Sequence, residues 1–203
     1  TNSGTSALHA AYFALGIKCG DEVIVPSLTF YATATPLFQL GAKPVLADCD
    51  SQIYNIDPND IERLITKNTK AITVTHLWGH PCEMDEIIEI ALNNGLKVVE
   101  DCSHAHGAIY KGKKVGTFGD IACFSLDNKK ILPVGEGGLL CTNNQKYFEK
   151  ALLFSDFGPR PISQIKMKSL SKFSSTGLGN KFRMNPMAAA VGRVKLKNLD
   201  YYI

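Results

Sequence analysis

The chain has 203 residues, of which 45% are hydrophobic and 20% charged, and a formal net charge of +3. That size and balance describe a folded globular chain with one substantial core, and exclude a disordered or fibrous one. Lysine and arginine are scattered, with only a mildly basic stretch over 166–197, so a nucleic-acid groove is excluded; no apolar run reaches membrane-spanning length. From the N-terminal end, residues 5–17 place Ala7, Leu8, Ala11, Tyr12 and Leu15 on one helix face. Gly20-Asp21 turns into a strand over 22–25, which Pro26 ends. A helix is expected over 31–40 and a strand over 44–47. Asp57-Pro58 then caps and starts a helix around 61–65. A strand over 71–75, a helix over 85–93 stopped by Gly95, and a strand over 96–99 follow. Beyond them come strands at 121–126 and 138–142 and helices at 145–154 and 186–199.

This alternation predicts an α/β fold with a mainly parallel central sheet, and the continuous apolar strands predict helices on both faces. In such sheets ligands bind beyond the carboxyl ends of the strands, so polar residues there carry most of the functional information. The six cysteines, Cys19, Cys49, Cys82, Cys102, Cys123 and Cys141, form no CxxC pair. They read as small hydrophobes in a reducing, cytoplasmic setting rather than as a disulfide frame or a metal site. The chain opens at Thr1 inside a motif and closes at Ile203 in mid-pattern, and is expected to be a piece of a longer protein.

Three stretches could carry chemistry. In SGTSAL, Ser3 to Leu8, small residues open a helix whose free amides and dipole attract an anion. An ordinary Ser/Thr cap accounts for the same letters. In VVEDCSHAHGA, Asp101 follows an apolar strand, where a carboxylate can pair with a cationic ring nitrogen, and His104 lies within reach. A helix cap and a packed histidine are the plain alternatives. In IACFSLDNKKILPVGEGG a strand runs into Lys129 and Lys130, and an amine kept from water can attack a carbonyl. Two solvated lysines beside a tight glycine turn would look the same. The order of the three is more telling than any one. An anion anchor, a ring-nitrogen partner and an aldehyde-binding amine are the parts that a pyridoxal-phosphate (PLP) site requires.

With SGTSAL, GDEVIVPSLTFYATA, HLWGHP, EDCSHAHGA, FSLDNKK-ILPV-GEGG and GNKFRMNPMAAA in this order, the whole chain resembles the DegT/DnrJ-type sugar aminotransferases. The resemblance implies the large domain of the fold type I PLP-dependent transferases across residues 1–203, with an N-terminal lead segment and a C-terminal small domain outside it. It implies that Gly4, Thr5 and Ser6 bind the PLP phosphate, with Ser125 adding a hydroxyl. Phe30 is implied to cover the cofactor ring, Asp101 to pair with the pyridine nitrogen and His104 to lie near the ring hydroxyl. Lys130, five residues after Ser125 and six before Glu136, is implied to be the Schiff-base lysine in preference to Lys129. Where the family commonly carries an Asn, two residues before Arg183, this chain has Lys181; both are implied to reach the site of a neighbouring subunit in a homodimer, where Lys181 can meet a phosphate. The implied reaction is transfer of an amino group from glutamate or glutamine to a keto-sugar nucleotide. A PLP-dependent sugar dehydratase, a non-catalytic PLP-binding regulator and a nucleotide-binding α/β module without PLP are the rivals. Lys130 argues against the first, since that branch replaces the lysine with histidine.

Overall fold

The computed structural model describes all 203 residues. Helix α1 (Gly4–Leu15) starts at a reciprocal cap between Ser3 and Ser6 and ends where Gly16 turns left-handed, φ 90°. Strand β1 (Glu22–Pro26) leads to a 3-10 turn (Tyr31–Thr33) and a short helix α2 (Thr35–Gln39). The single helix expected over 31–40 is broken there because Pro36 has no N–H for the preceding turn and can stand only at a helix start. Then follow β2 (Lys43–Ala47), α3 (Pro58–Leu64), β3 (Thr69–Thr75), a second 3-10 turn (Leu77–Gly79), α4 (Met84–Asn93) and β4 (Lys97–Asp101). Asp57 caps α3 by accepting from the Asn59 amide, as the Asp-Pro pair suggests.

A two-residue hairpin, β5 (Ile109–Tyr110) and β6 (Lys113–Lys114), was not foreseen, being too short to show periodicity. Strands β7 (Ile121–Ser125) and β8 (Gly138–Cys141) are followed by α5 (Gln145–Ser155), two short helices α6 (Pro159–Gln164) and α7 (Lys168–Ser171), then α8 (Pro186–Lys197) and α9 (Leu199–Tyr202). No helix is long and apolar enough to cross a membrane.

The six longer strands form one sheet in the order β2-β1-β3-β4-β7-β8, parallel except for the β7–β8 pair. Helix α1, with Leu8 and Tyr12 fully enclosed, packs on the face that presents Val23, Val25, Ala71, Val99, Ile121 and Cys123. The opposite face presents Ile24, Ile72, Val74, Val98 and Ala122 to Ile61, Met84 and Ile87 of α3 and α4. Each fully buried aliphatic side chain contributes about 1.5–3 kcal/mol, so the two layers hold the sheet from both sides. Because side chains alternate along a strand, residue parity decides what each strand end shows to which face. Thr73 and Thr75, Val99 and Asp101, and Cys123 and Ser125 fall on the α1 face; Val98, Glu100 and Phe124 fall on the other.

Candidate active site

The start of α1 is pressed onto the ends of β7 and β8, and two glycines make that approach possible. A Cβ on Gly4 would stand 2.8 Å from the Ser125 Cβ, and one on Gly138 would run into the Ser3 carbonyl. The cap uses the Ser3 hydroxyl, which accepts from the Ser6 amide at 3.1 Å. The Gly4 and Thr5 amides, first in the helix, have no intrahelical acceptor and remain available to an anion. The cap also commits the Ser6 hydroxyl, which accepts from the Ser3 amide at 3.1 Å and donates to Asn2 Oδ1 at 2.5 Å.

A cavity of about 420 Å³ opens at this point, over the carboxyl ends of the parallel strands. Gly4, Thr5, Phe30, Asp101, His104, Ser125 and Lys130 all line it. Ser6 does not, being enclosed in the cap. Lys181 and Arg183 also lie outside this chain's own cavity: Lys181 is exposed, and the Arg183 Nε stands 3.9 Å from Asp156 Oδ1. Lys129 and Lys130 both line the cavity, but Lys130 is half-buried whereas Lys129 is exposed. Thr29, Thr75 and Asp127 line it too and were not singled out in the sequence, and Glu136, used there only as a spacing mark, lines it as well. Thr75 ends its strand in register with Asp101, so the strand-end rule that marked the aspartate could have marked the threonine.

Asp101 is 5% exposed and has both oxygens tied: Oδ2 accepts from the Thr33 hydroxyl at 2.9 Å and Oδ1 from the Ser103 amide at 3.1 Å. Each carboxylate oxygen has a further lone pair free for a donor in the cavity. The His104 Nδ1 accepts from the Trp78 amide at 3.4 Å, which leaves Nε2 carrying the proton. Burial, and then the Lys130 ammonium, lower the His104 pKa against the pull of Asp101, so the ring is a neutral N–H donor at neutral pH. The Trp78 amide is aimed by a left-handed turn, φ 53° at Trp78 and 87° at Gly79.

On the other side of the same strand, Glu100 is wholly buried and accepts from the amides of Gly116 (2.6 Å), Phe118 (2.7 Å) and Gly119 (2.6 Å) and from His76 Nε2 (3.2 Å). His76 Nδ1 takes the Cys82 amide at 3.1 Å, so Nε2 is its donor. Cys102 lies close by, but the carboxylate and imidazole are already saturated by protein partners, and the group is a clasp rather than a metal centre.

The model of the DegT/DnrJ/EryC1/StrS aminotransferase family matches residues 1–203. The chain belongs to this family. As a DegT/DnrJ family member it is 42% identical over 202 residues to a GDP-perosamine synthase of Escherichia coli O157:H7, covering 100% of this chain and 53% of that protein. It is 41% identical over 199 residues to a dTDP-3-amino-3,6-dideoxy-alpha-D-galactopyranose transaminase of Aneurinibacillus thermoaerophilus, covering 98% and 52%. Its fold superposes on an aminotransferase from Psychrobacter cryohalolentis with a TM-score of 0.89 at 38% identity, over 98% of this chain and 51% of that one. The chain thus spans about half the length of the relatives it matches.

Family membership implies dependence on PLP, and the cavity fits that group. Two free amides with the Thr5 and Ser125 hydroxyls offer an anion cradle in which Gly4 keeps the space open. A buried acceptor carboxylate, a neutral N–H donor and a lysine amine surround the remainder.

Proposed function

We propose that this chain is the cofactor-binding large domain of a PLP-dependent aminotransferase that moves an amino group from glutamate or glutamine to a keto-sugar nucleotide. The observation that carries the proposal is the convergence of three parts in one cavity: the open start of α1, Asp101 at the end of β4 and Lys130 beyond β7. The GDP- and dTDP-linked amino sugars in the relatives' names support the substrate class.

The Gly4 and Thr5 amides, with the Thr5 and Ser125 hydroxyls, would hold the phosphate. Phe30 would cover the ring and His104 would donate to its hydroxyl oxygen. When bound, PLP supplies the electron sink that stabilises a carbanion next to nitrogen. Asp101 would pair with the ring nitrogen and hold a proton there. Lys130 would bind the cofactor aldehyde, and its Nζ, when free, would be the base placed to take a proton from the donor carbon and return it. We infer further that two chains pair and complete each other's sites, Lys181 and Arg183 serving the partner. Support for this comes from the exposure of Lys181, which has no acidic partner of its own, unlike Arg183.

The test is made on purified full-length protein. A visible cofactor band bleached by borohydride, and glutamate-dependent amination of a keto-sugar nucleotide, are expected. Lys130→Ala should lose both while Lys129→Ala keeps both; the reverse pattern would overturn the lysine assignment.

A further inference from the structure

We infer that Thr33 is a positioning residue for Asp101, held in place by a one-directional chain of hydroxyls that starts in the cavity. The Thr33 hydroxyl meets Asp101 Oδ2 at 2.9 Å, Thr29 Oγ1 meets Thr33 Oγ1 at 2.8 Å, and Thr29 Oγ1 meets Thr75 Oγ1 at 3.1 Å. Thr33, which touches Asp101, is fully buried and Thr75 nearly so, while Thr29 between them is half-buried and lines the cavity.

Proton bookkeeping fixes the direction. An ionised carboxylate only accepts, so Thr33 spends its single hydrogen on Asp101. Its oxygen must then accept from Thr29, and the Thr29 oxygen in turn from Thr75. All three hydrogens point the same way, an arrangement in which each bond polarises the next. A second tether fixes the Thr33 backbone. The Tyr12 hydroxyl donates to the Thr33 carbonyl at 2.7 Å and meets Thr73 Oγ1 at 3.0 Å. Burial pushes the Tyr12 pKa up, so it stays a donor. Thr33 is therefore anchored from α1 and β3 before it touches Asp101. With Ser103 holding the other oxygen, the carboxylate plane is set, and its free lone pairs face the cavity.

This role rests on the cofactor reading above. It predicts that the Thr33 hydroxyl matters only through Asp101. The experiment titrates full-length protein, stripped of cofactor, with PLP and follows visible absorbance. Thr33→Val, which keeps the side chain's shape and removes the donor, should weaken PLP binding roughly tenfold, the scale of one hydrogen bond to a charged group. Thr33→Ser should restore most of the affinity. In the Asp101→Ala background, Thr33→Val should add little, because the group it orients is gone. Equal weakening with and without the Asp101 carboxylate, or none at all, would overturn the role. Should Thr33→Val not fold, Thr29→Val breaks the next link and is judged by the same dependence on Asp101. Wild-type protein that takes up no PLP would overturn the cofactor reading and this role with it. Normal uptake by both wild type and Thr33→Val overturns the role alone.

Discussion

Glu100 and Asp101 are adjacent carboxylates on one strand, both buried, and they face opposite sides of the sheet. Glu100 is saturated: three loop amides and an imidazole use its oxygens, and it pins the 116–119 loop to the sheet. Burial alone would raise its pKa, yet the His76, Gly119 and Gly116 hydrogen bonds outweigh this and hold it below the usual carboxylate value. Asp101 has one partner on each oxygen and keeps acceptor capacity toward the cavity. The difference shows that burial of an acid says nothing about its role until its acceptor sites are counted. A filled acid fastens structure, and a partly filled one awaits a ligand.

The sharpest way to test this contrast is to disable each acid in turn. Asp101→Asn should fold and bind PLP but lose at least about a hundredfold in turnover, since an amide cannot keep the ring nitrogen protonated. Activity close to wild type would reduce Asp101 to a structural acceptor. Glu100→Ala should instead cost about 3–5 kcal/mol in chemical denaturation, because it strands buried donors on two sides. PLP affinity of the molecules still folded should stay near wild type; a selective loss of affinity would mean that the two faces are not independent.

The clasp face also carries a pH-sensitive weakness. His106 is 5% exposed beside Phe124, and neither ring nitrogen has a hydrogen-bond partner. Burial, assisted by the Lys130 charge, lowers its pKa to about 4 from the ordinary 6.5. The unfolded chain therefore binds this proton first. His106 contributes no such penalty above about pH 6.5, and stability falls as pH drops from about 6.5 to about 4. The loss is at most about 3 kcal/mol, and His106→Phe should flatten that part of the stability curve. An unchanged slope would show that His106 is not its source, since Glu100, with a lowered pKa, loses its stabilisation only at lower pH.

A smaller effect is expected at the turn that aims His104. Gly79 and Gly112 are both left-handed, φ 87° and 83°, but a Cβ on Gly79 would meet the His104 carbonyl at 3.2 Å and one on Gly112 would meet nothing. Each Gly→Ala change should cost about 1 kcal/mol in backbone strain. Only Gly79→Ala should also weaken PLP binding, measured by titration; equal affinities would show that the turn does not set the histidine.

Much of this was open to a reader of the letters alone. The alternation of elements, the place of Asp101 just beyond an apolar strand, and the anion-ready opening of α1 follow from local periodicity and small-residue spacing, which act over a few residues. What folding alone decided involves partners far apart in the chain. Thr33 meets Asp101 across 68 positions and Thr29 meets Thr75 across 46, and threonines are too common for their letters to announce such a chain. The same holds for the pairing of Arg183 with Asp156. Even the opposite duties of Glu100 and Asp101 needed the tertiary structure. Strand parity told that they face apart, but only packing decided which face received α1 and its cavity and which received the closing loop.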